Sequence, residues 1–111
     1  MPYYVYVIEL DREFARTPKA KNANPDADMN KACIYVGSSS KEPEVRFREH
    51  TEGARNDRGP LYSRVAYRYG VKLLPALYKR YNSMKTQSEA KAKEKELTRT
   101  YRKKGYTVWS N

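Results

Sequence analysis

Two short apolar stretches constrain the fold of this chain more than any other feature of its sequence. Tyr3 to Leu10 alternates along the chain and is rich in β-branched and aromatic residues, so it predicts a strand. Ala32 to Val36 predicts a second strand, which ends at Gly37. The polar stretch between them, residues 11–31, contains two prolines and shows no periodicity, which indicates a loop. We therefore expect an antiparallel pair of strands with a long connection.

Helical patterns follow the second strand. Pro43 suits the first turn of a helix that runs to about Thr51 and closes near Gly53. A second helix is expected up to Gly70, because apolar residues recur before it at helical spacing. These residues are Leu61, Tyr62, Val65 and Tyr69. Residues 71–87 predict a short strand or coil, followed by a helical turn beyond Pro75.

The most regular helix of the chain lies near its C-terminus. Ser88 is a candidate N-cap, and the sequence after it, "EAKAKEKELTRTYRKK", is rich in strong helix formers and ends at Gly105. The segment "YTVWS" predicts a final short strand.

The length of 111 residues predicts one domain, 1–111, with the stretch at about 11–31 as a polar insertion. The single cysteine, Cys33, allows no internal disulfide, which suits a reducing compartment. No apolar run approaches the roughly 18 residues of a membrane span, and the start of the chain lacks the pattern of a signal peptide. We therefore predict a cytoplasmic protein with no membrane partner.

The net charge is the strongest global signal. Lys and Arg number 23 against 13 Asp and Glu, which gives a formal charge of +10. Such a surface favours polyanions, because phosphates release counterions when they bind lysine and arginine. The C-terminal amphipathic segment lacks the large aromatic face of a membrane anchor. Nucleic acid is the partner that this composition favours.

One residue of the last helix does not match its surroundings. Ala90, Leu97 and Tyr101 lie on one apolar stripe, and Glu94 occupies the position that completes it. A carboxylate facing a core is costly unless it is paired or binds a cation. The stripe therefore allows two interpretations: Glu94 forms an ion pair at the rim of the core, or it holds a divalent metal.

A second group of polar residues follows the second strand, in "CIYVGSSSKEPEVRFREH". Tyr35 and Gly37 end that strand, and Arg46 and His50 lie four residues apart on one face of the next helix. Taken one at a time, none of these residues indicates a binding site, because the tyrosine and glycine are typical of strand packing and the arginine and histidine of a solvated helix face.

Together, these motifs resemble the GIY-YIG nuclease family as a small stand-alone member. The matching pieces occur in order: "YVY" at 4–6, "YVG" at 35–37, Arg46 with His50, and then Glu94. The resemblance implies an α/β (α+β) fold with a small mixed, mainly antiparallel three-stranded sheet flanked by helices. It also implies that Tyr6 and Tyr35 lie on neighbouring strands, facing the same cleft as the arginine and the glutamate.

The chemistry of these residue types fits phosphodiester hydrolysis. The planar fork of Arg46 suits phosphate oxygens. Glu94 could hold one Mg²⁺ or Mn²⁺ ion, which would stabilise the leaving 3′ oxygen. Tyr6 or Tyr35 could accept a proton if the metal site and nearby cations lower its pKa, and His50 could orient the water or hold a phosphate. We therefore predict a metal-dependent endonuclease with Tyr6, Tyr35, Arg46, His50 and Glu94 as its catalytic residues.

DNA is the substrate that we favour. The residues expected to contact it lie in the turn after the second strand and on the polar sides of the helices: Gly37, Ser38, Lys41, Arg64, Arg68, Lys91, Lys95, Arg99 and Arg102. With no appended recognition domain, we expect weak sequence preference or a protein partner that supplies the targeting. Two alternatives stay open: a nucleic-acid-binding module that cleaves weakly or not at all, and an adaptor for RNA or anionic membranes. The oligomeric state is not predicted.

Overall fold

Four strands form one sheet in the computed structural model, which describes residues 2–53 and 63–110. They are β1 (Tyr4–Leu10), β2 (Cys33–Ser39), β3 (Gly70–Leu73) and β4 (Thr107–Trp109). Their order across the sheet is β3-β1-β2-β4. β1 runs antiparallel to β2 and β3, whereas β2 and β4 are parallel. The predicted mixed, mainly antiparallel sheet is confirmed, but it has four strands rather than three.

The additional strand is β3. The sequence predicts either strand or coil for this segment, because it is short and shows little alternation of apolar and polar residues. Val71 and Lys72 are both exposed. The segment forms a strand by pairing with β1, with Ile8 opposite Leu73 and Glu9 opposite Lys72. A four-residue edge strand depends on its neighbour for its conformation, so its own sequence predicts it weakly.

Within the described residues, four α-helices surround the sheet: α1 (Pro18–Ala23), α2 (Pro43–Glu52), α3 (Arg64–Tyr69) and α4 (Gln87–Lys103). Short 3-10 helical turns occupy Arg12–Arg16, Pro75–Leu77 and Lys79–Tyr81. The predicted helix at Pro43 is confirmed, and it ends at Gly53, whose φ of 74° lies in the left-handed region. In the second predicted helix, Val65 is buried, while Leu61 and Tyr62 lie outside the described residues.

The prediction of a loop over residues 11–31 is wrong for about half of its length. Phe14 is buried on the 3-10 turn Arg12–Arg16, and α1 follows directly. Thr17 caps α1 by accepting a hydrogen bond from the backbone N–H of Ala20, and Pro18 occupies its first turn. A helix of six residues is too short to show an apolar period, so the sequence pattern does not indicate it.

The predicted N-cap of the last helix is also wrong. Thr86, not Ser88, caps α4, and its hydroxyl accepts a hydrogen bond from the backbone N–H of Glu89. Thr86 and Glu89 have the spacing of a capping box, which outweighs the serine two residues further on.

The two long helices pack on opposite faces of the sheet. Side chains alternate along a strand, so Tyr6 and Ser38 point to opposite faces of the β1–β2 pair. Tyr6 reaches His50 of α2, while Ser38 reaches Glu94 of α4. Buried valines and isoleucines of β1 and β2 fill the core between the sheet and the helices.

The end of β4 leaves part of β2 open. β4 pairs only with Cys33, Ile34 and Tyr35, so among the described residues Gly37 and Ser38 have no strand on that side. Helices on opposite faces can place side chains around such an open edge. This is where α2 and α4 bring their polar residues together.

Candidate active site

One cleft at the open edge of β2 contains all five residues that the sequence predicts as catalytic. Its volume is about 190 Å³. Tyr6 and Tyr35 come from the two central strands, Arg46 and His50 from α2, and Glu94 from α4. Ser38 and Lys91 complete the lining. Residues that are distant in the sequence thus face one polar space.

Gly37 makes room for Tyr6. The two residues are opposite each other on β1 and β2, and a Cβ atom at Gly37 would lie 2.5 Å from the Tyr6 hydroxyl oxygen. Such an approach is far inside van der Waals contact, so any side chain at Gly37 would displace the tyrosine ring. The prediction that Gly37 contacts nucleic acid therefore gains no support here. The structure gives this residue a packing role.

A buried hydrogen bond joins Tyr6 to His50, the only histidine of the sequence. Tyr6 Oη lies 2.9 Å from His50 Nε2, and the two residues are 2% and 3% exposed. Burial and the nearby Arg46 guanidinium lower the pKa of His50 to about 4. The imidazole is therefore neutral at pH 7, and in the tautomer that carries its proton on Nδ1, Nε2 can accept a hydrogen bond from the Tyr6 hydroxyl.

Burial raises the pKa of both cleft tyrosines. Burial raises the pKa of Tyr35 to about 12, while a hydrogen bond with Ser63 opposes this rise. Burial raises the pKa of Tyr6 well above its usual value, and the neighbouring Tyr35 hydroxyl adds to the effect. Both phenols are thus protonated at neutral pH in the free cleft. Additional positive charge is needed before either one can hold a phenolate.

Arg46 is held in place by two groups of its surroundings. Its Nε donates to Ser39 Oγ at 3.0 Å, and its Nη1 lies 3.5 Å from Glu49 Oε1. Lys41 forms a salt bridge with the same Glu49 carboxylate. The side chains of Arg46 and Glu49 are only 12% and 21% exposed. The guanidinium is therefore fixed at the cleft before any ligand arrives.

Glu94 enters the cleft from the apolar stripe of α4, as its sequence position predicts. Ala90, Leu97 and Tyr101 of that stripe are buried, and Ser38 Oγ donates to Glu94 Oε1 at 2.8 Å. Burial raises the pKa of the Glu94 carboxyl, and the Ser38 hydrogen bond and nearby lysines partly offset that rise. No ion-pair partner lies within salt-bridge distance of Glu94 among the described residues.

The cleft can hold a divalent ion only if a bound phosphate supplies some of the metal-binding oxygens. No group of three or more His, Cys, Asp or Glu side chains that could hold a metal occurs within residues 2–53 and 63–110. A single carboxylate is sufficient for Mg²⁺ when substrate phosphates and water supply the remaining oxygens. Glu94 therefore fits a metal that binds together with a phosphate group. It does not fit a preformed protein cage.

The predicted nucleic-acid contacts other than Gly37 fall into four groups. Ser38 and Lys91 line the cleft, Lys41 lies beside it, and Lys95, Arg99, Arg64 and Arg68 are exposed on helices. Arg102 turns inward: its Nε donates to Asn24 Oδ1 at 3.1 Å and its Nη2 to the Val108 carbonyl at 3.2 Å. Arg102 thus holds β4 in place, and the basic face of α4 consists of Lys91, Lys95 and Arg99.

The sequence did not predict Ser39, Glu49 or Ser63 as residues of the site. Ser39 and Glu49 orient Arg46, and Ser63 hydrogen bonds with Tyr35. The spacing of Arg46 and Glu49, three apart on a helix, could have indicated their contact. Ser63 precedes α3 and reaches Tyr35 only through the tertiary fold, so no local signal marks it.

The comparison with known protein families agrees with this geometry. A family model, the GIY-YIG catalytic domain, matches residues 2–107. The chain therefore belongs to the GIY-YIG family, and its predicted resemblance to that family is confirmed. This is a nuclease family whose members act on nucleic acid and generally use a divalent metal ion. Separate searches of curated proteins and of solved structures found no significant match.

No helix within residues 2–53 and 63–110 is both long enough and apolar enough to cross a bilayer.

Proposed function

We propose that this chain is an endonuclease that hydrolyses phosphodiester bonds in DNA, using one divalent ion and a tyrosine–histidine pair. The observation that carries the proposal is the hydrogen bond between Tyr6 and His50, in a cleft that also contains Arg46 and Glu94. A proton acceptor, a fixed cation for phosphate and a metal ligand are the groups that this reaction needs.

Phosphate binding is the first task of the cleft. Arg46 presents its guanidinium to two non-bridging oxygens, and Ser39 and Glu49 keep that fork in one orientation. Because the fork is fixed in advance, little side-chain entropy is lost when the phosphate binds.

Activation of water is the second task. In the proposed step, a water attacks phosphorus while its proton moves to Tyr6 Oη and the tyrosine proton moves to His50 Nε2. The bond from phosphorus to the 3′ oxygen breaks in the same displacement, and the 3′ oxygen leaves with the bonding electrons and then takes up a proton from solvent water. A concerted transfer needs no free phenolate, so the raised pKa of Tyr6 does not prevent it. Negative charge on the bound phosphate offsets the effect of Arg46 on the pKa of His50.

Glu94 is the residue that would hold Mg²⁺ or Mn²⁺, and the ion when bound would polarise the phosphate and stabilise the leaving oxygen. Ser38 orients the carboxylate by hydrogen bonding one of its oxygens. That bond leaves lone pairs on the carboxylate for coordination.

Replacement of Glu94 tests the proposal. Glu94→Gln keeps the size of the side chain and its bond with Ser38 while removing the charge. We expect cleavage of plasmid and linear DNA to fall by roughly a thousandfold, since the ion supplies several kcal/mol of transition-state stabilisation. Thermal melting of the variant should stay close to that of the wild type.

Glu96→Gln is the matched control. Glu96 lies two residues further along α4, where its side chain is 56% exposed and pairs with Lys93. The control should cleave at the wild-type rate, because a surface ion pair contributes little to stability. Equal losses in the two variants, or full activity of Glu94→Gln, would contradict the metal role. Binding without cleavage of DNA or RNA in either metal would favour the alternative of a binding module.

A further inference from the structure

A polar groove adjoins the catalytic cleft, and the proposed reaction does not use it. It lies between the ends of β1 and β2 and the first turns of α4, with a volume of about 250 Å³. The residues that matter for its chemistry are Tyr3, Ser38, Ser40, Arg46, Gln87 and Lys91.

The donors of this groove suit an anion. Ser40 offers a hydroxyl group, Gln87 offers an amide, and Arg46 and Lys91 carry positive charge. Among the described residues that line it, there is no carboxylate. Charge-assisted hydrogen bonds to phosphate oxygens are the strongest contacts that such a set can make.

Two other recesses of the described surface lack this character. A pocket beside the start of α2 is lined by Glu42 and Glu44, which repel phosphate. Another, beside Arg102 and Lys103, includes Asp26 and shares no residue with the cleft. The groove at Gln87 therefore combines positive charge with direct access to the catalytic cleft.

Shared residues connect the two spaces. Ser38, Arg46 and Lys91 line both the groove and the cleft. We propose that the groove binds the phosphate of the nucleotide next to the scissile bond, so that the enzyme acts on chains of several phosphodiesters rather than on single diesters. This inference rests on the proposed function, in which the scissile phosphate lies in the cleft.

The test introduces a negative charge at Gln87. This residue is exposed at the first position of α4, where a carboxylate interacts favourably with the helix dipole, so Gln87→Glu should fold. Two substrates are compared: a nucleoside 5′-(4-nitrophenyl) phosphate, which contains one diester, and a short single-stranded DNA oligonucleotide. The ratio of kcat/KM for the oligonucleotide to that for the small diester should fall about five- to tenfold, as expected for one unfavourable charge contact near the surface.

Asn22→Asp is the control with the same change of charge. Asn22 is exposed on α1, which packs beside β4 rather than beside the groove. The substrate ratio of this variant should equal that of the wild type. If Gln87→Glu keeps the wild-type ratio, or if Asn22→Asp lowers it as much, the groove does not bind the neighbouring phosphate.

Binding measurements separate this inference from the proposed function. Fluorescence anisotropy of a labelled oligonucleotide is measured with Glu94→Gln and with the double variant that adds Gln87→Glu. Weaker binding of the double variant supports the groove even if the wild-type protein cleaves nothing, a result that would overturn the proposed function alone. Equal binding of the two proteins would overturn the groove even where the wild type cleaves DNA.

Discussion

The ring of Tyr6 occupies space beside Gly37 that a side chain would otherwise fill. This contact explains the presence of a glycine at position 37, which the sequence interpretation assigns to nucleic-acid binding.

The residue types of the cleft could be predicted from the sequence, because a charged residue on an apolar stripe and an Arg–His pair are local patterns. Contacts such as Tyr35 with Ser63 could not, since they join segments that meet only in the folded chain.

The neutral state of His50 has a measurable consequence for stability. Its pKa is about 4 in the folded protein and about 6.5 when unfolded. Between these values the unfolded chain binds a proton that the folded chain does not. Stability is therefore complete above about pH 6.5 and is lost as the pH falls towards about 4, by about 2–3 kcal/mol.

Urea unfolding of the wild type and of His50→Gln, at pH 7.5 and pH 4.5, measures this contribution. Other groups titrate in both proteins, so the quantity compared is the loss of unfolding free energy between the two pH values. The wild type should lose about 2–3 kcal/mol more than the variant. Parallel losses would show that His50 does not titrate abnormally.

At the scale of elements, α2 and α4 could be predicted because their limits are set by local signals: Pro43, Gly53 and a long run of helix formers. α1 and β3 could not, because each is short and its stability comes from neighbours. The 3-10 turn before α1 is held by Phe14, whose ring packs against Tyr69 and Trp109. Those partners lie more than 50 residues away along the sequence.

Asn24 illustrates how a single amide can join two elements. At the end of α1, its Nδ2 donates to the Val108 carbonyl at 3.0 Å, and its Oδ1 accepts from the Val108 N–H at 2.9 Å. The amide thus replaces a neighbouring strand along the edge of β4. Asn24→Ala leaves the Val108 N–H unpaired, while the Val108 carbonyl keeps its hydrogen bond from Arg102 Nη2. We therefore expect the free energy of unfolding to fall by about 1–3 kcal/mol.

Asn22→Ala is the control, because Asn22 is exposed in the same helix. It should change the free energy of unfolding by less than about 0.5 kcal/mol. Chemical denaturation of the three proteins provides the comparison. An Asn24→Ala variant as stable as the control would show that β4 does not depend on this amide.

At the scale of the whole molecule, the charge of +10 is a property of composition, but its distribution is a property of the fold. Lys91 and Lys95 line a recess with Gln87, which continues the polar groove along α4. Arg99 is exposed further along this helix, whereas Arg102 is hydrogen bonded within the protein. The basic surface beside the cleft is therefore shorter than the sequence of α4 implies.

This distribution predicts a local rather than a general effect of charge on binding. If Lys95 and Arg99 contact phosphates, each adds about one unit to the slope of log K against log salt concentration. The double variant Lys95→Gln/Arg99→Gln should reduce that slope by about two in an anisotropy titration of duplex DNA. Lys19→Gln/Lys21→Gln removes the same net charge from exposed positions of α1, and it should reduce the slope by less than about 0.5. Equal reductions in the two double variants would mean that net charge alone governs binding, and that α4 does not form the DNA-binding surface.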